Sequence, residues 1–228
     1  MSRIYTVAHL KGGAGKTTTS ILLAAHFADK GKRVVFIDAD TKSGQGSKFV
    51  ARRGATAMEF GIELPLIEVI PTRDRKHMAK TAMKLQEQGY EVIIDCNPLA
   101  SDLFLGSLVA CDVAIHPLRQ GHTELDSFQT FIDVLHGVHE ARAANGLNKL
   151  KSRTLLTDYR PTKLGRRLID YMESLDNLES HPMRFMGVIP HSERFGEAIH
   201  KGCALWELAP HHAHVPQIQE VILACTQR

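Results

Sequence analysis

Ile4-Tyr5-Thr6-Val7-Ala8-His9-Leu10-Lys11-Gly12-Gly13-Ala14-Gly15-Lys16-Thr17-Thr18 decides how the rest of the chain is read. An apolar run, Ile4 to Ala8, enters a glycine-rich turn, and a helix-like run from Thr18 to Lys30 leaves it. A strand that delivers a loop to a helix N-terminus makes an anion site, because the first helical N–H groups have no partner inside the helix. Glycines let those N–H groups turn toward phosphate oxygens. Lys16 adds a point charge for the β- and γ-phosphates, and the Thr17 hydroxyl is placed to ligate Mg²⁺. The nucleotide-contacting set is therefore Gly12, Gly13, Ala14, Gly15, Lys16, Thr17 and Thr18.

Length and composition suit a globular α/β protein. The 228 residues are 43% hydrophobic and 23% charged, which argues against disorder and leaves enough chain to bury a large core. The expectation is a single domain over residues 1–228. The formal net charge is only +3, so bulk charge does not announce a nucleic-acid binder, and any such contact must come from a local patch. The four cysteines have no C-x-x-C spacing and read as free thiols of a reducing cytoplasm. No apolar stretch approaches the roughly 20 residues of a membrane span, and the charged turn at Lys11 leaves no room for a signal-peptide core.

Short β-branched runs alternate with helical patterns. The expected strands are 4–8, 34–38, 68–70, 91–95, 112–116, 153–157 and 184–189. The expected helices are 16–30, 47–53, 73–88, 101–111, 123–145, 163–174, 194–201 and 216–227. Several strands are almost wholly apolar, as parallel strands covered on both faces must be. The fold class expected is α/β: a P-loop NTPase with a mostly parallel twisted sheet and helices on both faces.

Two of these strands end in carboxylates. Val34-Val35-Phe36-Ile37 runs into Asp38-Ala39-Asp40, and Glu91-Val92-Ile93-Ile94 into Asp95. Carboxylates at strand ends beside a phosphate loop hold Mg²⁺ waters or orient an attacking water. Asp95 has the pattern of a Walker B aspartate, which reaches the metal through a water.

Lys11-Gly12-Gly13-Ala14-Gly15-Lys16-Thr17 resembles the deviant Walker A motif, K-G-G-x-G-K-[ST], of the ParA/MinD superfamily of ATPases. A plain P-loop has Gly where this chain has Leu10, and lacks the early lysine. The resemblance implies that Lys11 reaches across a nucleotide-sandwich homodimer to the partner's phosphates while Lys16 serves its own. It implies ATP/ADP and Mg²⁺ as cofactors, Asp40 as the residue that positions the attacking water, and Asp38 as support for the metal region. Thr41-Lys42-Ser43-Gly44-Gln45 departs from the family's Pro-Gln after the second aspartate, and Cys96-Asn97-Pro98 from its Thr-Pro-Pro. Gln45 is either a displaced counterpart or a bystander. Ile115-His116-Pro117 with Glu124-Leu125-Asp126 resembles the segment after the family's fifth strand. Gly187 to Arg194, with Pro190, resembles its late strand and base-side loop, and Ala198 to Glu207 its tail.

By that resemblance the function is an ATP-dependent DNA partition ATPase of the small plasmid-partition type. It binds DNA non-specifically as a dimer, is stimulated by a ParB-type centromere-binding adaptor, and works in the cytoplasm at the nucleoid. The alternatives are a relative that positions a non-DNA cargo or acts in conjugative DNA transfer. A MinD-type membrane switch ranks lower, because Gln217 to Arg228 carries one arginine and one glutamate rather than a basic face. The DNA-contacting candidates are Arg160, Lys163, Arg166 and Arg167, in one basic segment with Lys149, Lys151 and Arg153. A solvated helix face explains them equally well. Arg52, Arg53, Arg73, Arg75 and Lys76 are a second basic group. His211-His212-Ala213-His214 reads as a solvated turn.

Overall fold

The computed structural model describes residues 2–40, 44–72, 74–96, 102–121, 124–178 and 180–227, with residues 75 and 76 described in their backbone alone. Thr41, Lys42, Ser43, Arg73, Asn97 and Pro98, and the side chains of Arg75 and Lys76, lie outside the described residues.

The alternating pattern folds as one α/β sheet. In chain order the elements are β1 (Ile4–Val7), α1 (Lys16–Asp29), β2 (Val34–Asp38), α2 (Gln45–Phe60), β3 (Glu68–Pro71), α3 (Arg75–Glu87), β4 (Glu91–Asp95) and α4 (Asp102–Ala110). Then follow β5 (Val113–Arg119), α5 (Glu124–Ala144), β6 (Lys151–Tyr159), α6 (Lys163–Asp176), β7 (Met183–Pro190), α7 (Glu193–His200), α8 (Leu205–Leu208) and α9 (Val215–Thr226). The sheet has seven strands in the order β3-β2-β4-β1-β5-β6-β7, and all its pairings are parallel. Parallel strands need long crossovers, and the helices supply them on both faces. Side chains of α3, α4, α5 and α6 fill one core layer, and those of α1, α2, α8 and α9 the other. β1, β2 and β4 are fully buried, which is why they read as unbroken apolar runs. All four cysteines are buried and unpaired.

Three differences from the sequence expectation have local causes. β5 runs on through Pro117 to Arg119 instead of stopping at His116. Ala8 donates to the Ile115 carbonyl, so peptide groups of that parity face β1. Pro117 shares the parity, but β1 has already given way to the loop there, and the missing N–H costs no ladder bond. α2 starts at Gln45, passes Gly54 and ends at Gly61, whose φ of 60° suits the left-handed cap. An exposed mid-helix glycine costs only about 1 kcal/mol, less than the following turns return. The third difference is α8, a single turn absent from the expected elements. Glu207 accepts from its Ala204 N–H at 2.7 Å.

One imidazole is packed as an apolar group. His116 is 0% exposed, stacks near His9, Phe128 and Phe131, and has no hydrogen-bond partner for either ring nitrogen among the described residues. Burial holds its pKa well below the ordinary value. The unfolded chain takes up a proton below about pH 6.5 that the folded chain refuses, so this group's contribution is lost as the solution is acidified. His116→Leu should raise the melting temperature, since two unmet polar atoms cost about 1–3 kcal/mol and each kcal/mol is worth roughly 2–4 °C at this size. Thermal melts at pH 7.5 and pH 5.5 check this. The gap should widen at the lower pH, and equal gaps would contradict it.

Candidate functional site

The glycine turn sits at the C-terminal ends of the strands, above β1, where α/β sheets bind ligands. Gly13 and Gly15 have φ of 79° and 88°, a region that other residues enter only at a cost. Gly15 is doubly constrained, because a Cβ there would lie 2.9 Å from Thr157 Oγ1. That hydroxyl sits between the Ala14 and Leu118 carbonyls, 3.1 Å from each, and ties the turn to β5 and β6. The turn ends as the N-cap of α1, which has no side-chain cap, so the N–H groups of Lys16 to Thr18 are free of that competition.

Lys16 is 7% exposed and curls back under the turn, its Nζ donating to the Lys11 carbonyl at 2.7 Å. Burial lowers its pKa, while Asp95, Cys96 and Asp40 favour the charged form. Lys11 is exposed, and its N–H donates to His9 Nδ1 at 2.9 Å. His9 is fully buried, with Nε2 3.4 Å from Glu124 Oε2 at the start of α5. Its pKa is pushed down to about 4, first by burial and then by Lys16, so the ring is neutral and accepts from Lys11. Neither His9 nor Glu124 belonged to the expected site. The signal available was a histidine two residues before the first lysine, positioned to close an Asx-like turn.

The carboxylates that end β2 and β4 stand side by side. Asp38 and Asp95 are register partners on β2 and β4, each 1% exposed. Thr17 Oγ1 donates to Asp95 Oδ2 at 2.7 Å, and Ser20 Oγ to Oδ1 at 3.1 Å. Burial pushes the Asp95 pKa up to about 7 against the Thr17 bond, and Asp38 adds to the rise. Asp38 does two things. Its Oδ2 accepts from Ser47 N at 2.9 Å and Ser47 Oγ at 2.8 Å, capping α2, whose own N-cap is Gly44. Its buried Oδ1 has no hydrogen-bond partner among the described residues. A hydroxyl, two buried carboxylates and an unmet carboxylate oxygen are a hard-oxygen donor set, which fits Mg²⁺. Asp40 follows β2 and is close enough to Lys16 to favour its charge. Gln45 is the first residue of α2.

Pro190 lines a cavity of about 290 Å³ that begins at Gly13, Gly15 and Thr18 and runs between the ends of β6 and β7. Its far wall holds a charged cluster missed in the sequence. Arg119 donates to Asp158 and lies 3.4 Å from the Gly13 carbonyl. His191 Nδ1 is 2.5 Å from the other Asp158 oxygen, and Arg160 Nη2 is 3.0 Å from His191 Nε2. Burial, which would raise the Asp158 pKa, is outweighed by the bonds from His191 and Arg119, so it falls. Asp158 has φ of 56°, the only positive φ outside glycine among the described residues. It also directly follows the expected strand 153–157, a signal of the kind that picked out Asp40.

The basic groups divide. Arg160, Lys163, Arg166 and Arg167 are exposed at the nucleotide end of β6 and on the first turns of α6. Lys151 and Arg153 start β6, roughly 30 and 23 Å of extended chain away from Arg160. The second group is corrected outright at Arg53. It is 3% exposed and forks onto Glu207 at 2.7 and 2.5 Å, clamping α2 to α8, so it is no surface cation.

A sequence profile of the CobQ/CobB/MinD/ParA nucleotide binding domain matches residues 5–205. The chain is similar to the chromosome-partitioning ATPase Soj of Thermus thermophilus, 30% identical over 233 residues that cover 91% of this chain and 89% of that protein. It is 28% identical to the septum site-determining protein MinD of Escherichia coli over 229 residues, 89% of this chain and 83% of that one. Its fold matches that of a candidate plasmid partition protein of Borrelia burgdorferi bound to AMPPNP, with a TM-score of 0.73, 19% identity and 98% of each chain covered.

The raised Asp95 pKa makes the site a stability liability. The folded chain keeps a proton that the unfolded chain releases between about pH 4 and 7, so stability falls as pH rises through that window. In EDTA, Asp95→Asn should melt higher than the parent at pH 8, with a ceiling on the order of 4 kcal/mol, and the gain should shrink toward pH 5. A gain independent of pH, measured by calorimetry, would contradict this.

Proposed function

The chain belongs to the CobQ/CobB/MinD/ParA family of nucleotide-binding domains and is a ParA/MinD-type ATPase; from that premise we propose that it is a DNA-segregation switch. ATP closes two protomers face to face, the dimer binds DNA non-specifically, and hydrolysis stimulated by a ParB-type adaptor releases it. The observation that carries the proposal is the pairing of the two lysines. The Lys11 carbonyl receives the Lys16 ammonium, and the Lys11 side chain stays on the exposed surface of the loop.

Within the site, Lys16 and the amides of Gly12, Gly13, Ala14, Gly15, Thr17 and Thr18 offset phosphate charge. Thr17, Asp95 and Asp38 would hold Mg²⁺, which would supply charge neutralisation to the phosphates. Asp40 positions the attacking water, and Pro190 borders the base. Lys11 of each protomer adds a cation to the other's phosphates. A trans arginine does such work for a gain of about 10³–10⁵ in GTPases, and a lysine does less.

DNA contact is assigned to Arg160, Lys163, Arg166 and Arg167. Cations in the first turn of α6 add to its positive dipole end instead of opposing it, an arrangement that favours an external anion. A cargo other than DNA, or a role in conjugative transfer, would use the same chemistry with another adaptor. A membrane-switch reading is disfavoured because Val215, Ile218, Val221, Ile222 and Cys225 of α9 are buried in the core. No helix among the described residues is long and apolar enough to cross a membrane.

Turnover measured with and without DNA, together with ATP-dependent sizing, tests the reading. DNA should stimulate turnover; stimulation by anionic liposomes alone would replace it with the membrane switch. Lys11→Ala should still bind ATP but lose ATP-dependent dimerisation and at least about tenfold in turnover. Asp40→Ala should accumulate an ATP-bound dimer. Wild-type turnover in Asp40→Ala would remove that residue from the reaction.

A further inference from the structure

At the end of the sheet away from the glycine turn, the starts of β6 and β7 border an open cavity of about 520 Å³. Lys151, Ser152, Arg153, His181 and Arg184 line it, and no carboxylate is among its described lining residues. Arg153 and Arg184 are register partners on adjacent parallel strands. Register partners share a face, with Cβ atoms about 5 Å apart, and like charges so placed destabilise a sheet. Lys151 lies two residues before Arg153, so it shares that face as well.

Helix ends hold these guanidiniums without cancelling their charge. Arg153 is 8% exposed and donates to the Ala224 and Gln227 carbonyls at the end of α9. Arg184 Nη1 donates to the carbonyls of Asp176, at 2.8 Å, and Leu178, at 3.4 Å, at the end of α6. Carbonyls are neutral, so Lys151, Arg153 and Arg184 keep their formal charges, with the Asp176 carboxylate, which accepts from Phe185 N at 2.8 Å, as the acidic group near Arg184. Arg153 is buried with both Nη atoms on the end of α9, which leaves the exposed Lys151 and Arg184 to meet a ligand. A neighbouring cavity of about 410 Å³ shares Lys151 and adds Arg3, Arg142 and Lys149, with Asp112 the single carboxylate among its described lining residues. Lysine point charges and the remaining guanidinium N–H groups of Arg184 and Arg3 match the oxygens of a phosphate. Their repetition along the sheet edge matches a row of phosphates better than one.

We propose that this edge is a second phosphate-binding surface, which takes the sugar–phosphate backbone of a nucleic acid. It is separate from the P-loop and from the exposed cations of α6, and it rests on the DNA reading above. Each phosphate neutralised releases counterions and contributes about 0.9 to the slope of log affinity against log salt.

The test is fluorescence anisotropy of a labelled 20-bp duplex with the full chain and a non-hydrolysable ATP analogue, from about 50 to 200 mM salt. Lys151→Glu/Arg184→Glu should lower the slope by about 2 and weaken binding at least tenfold near 100 mM salt. The neutral pair Lys151→Gln/Arg184→Gln, used should the reversed pair fail to fold, should lower the slope by the same amount. Melting curves within a few degrees of wild type serve as the folding control. A wild-type slope in these variants, alongside weakened binding by Lys163→Glu/Arg166→Glu/Arg167→Glu, would overturn the edge site and leave the DNA reading standing. No duplex binding by the wild type would overturn both.

Discussion

A carboxylate buried under the first turn of α1 is the constraint on which the site depends. Asp95 takes hydrogen bonds from Thr17 and Ser20, fixing the helix to the centre of the sheet. That fixes where the glycine turn ends and where the α1 N–H groups point. Thr157 closes the turn from the other side, and the Lys16 ammonium closes it from beneath. Three polar contacts in a dry place hold an anion-binding loop that two left-handed glycines allow to form. The cost is an underneutralised centre, with two buried carboxyl groups side by side on β2 and β4. Sites for charged ligands are commonly less stable empty than their surroundings would permit.

What was legible in the sequence was what depends on neighbours along the chain. The phosphate loop is one continuous segment, and its strand, turn and helix are all local patterns. Asp38 and Asp95 each end an apolar run, and the structure sets them side by side on β2 and β4. The fold class followed from the alternation of such runs with helical periods. Contacts between distant segments were not legible. Arg53 looks like any surface cation until Glu207, 154 positions later, meets it. Asp158 stood at the end of an apolar run, but nothing in the sequence says that Arg119 and His191 reach it. Asp38 was read for metal alone, because the capping of α2 depends on a helix start that the sequence placed two residues late.

Charge is distributed with a logic that a net value of +3 conceals. At the C-terminal ends of the strands, cations and carboxylates are interleaved within a few ångströms, as suits a site that must bind an anion, hold a metal and release product. At the opposite end, cations stand together on helix carbonyls, as suits a surface that meets phosphates without doing chemistry on them. The buried imidazoles of His9 and His116 lie between the loop and α5 and stay neutral at physiological pH, so they add no charge to either end. His9 also links the Lys11 backbone to the start of α5, and through it the loop is coupled to a helix outside the phosphate site.

The central claim is that one nucleotide is gripped by lysines of two protomers. A crystal structure with Mg²⁺ and a non-hydrolysable ATP analogue tests it most directly. The account predicts two protomers facing each other, with Lys16 on the phosphates of its own nucleotide and each Lys11 ammonium within hydrogen-bond distance of its partner's. A single protomer with Lys11 turned to solvent while the nucleotide is fully bound would contradict it.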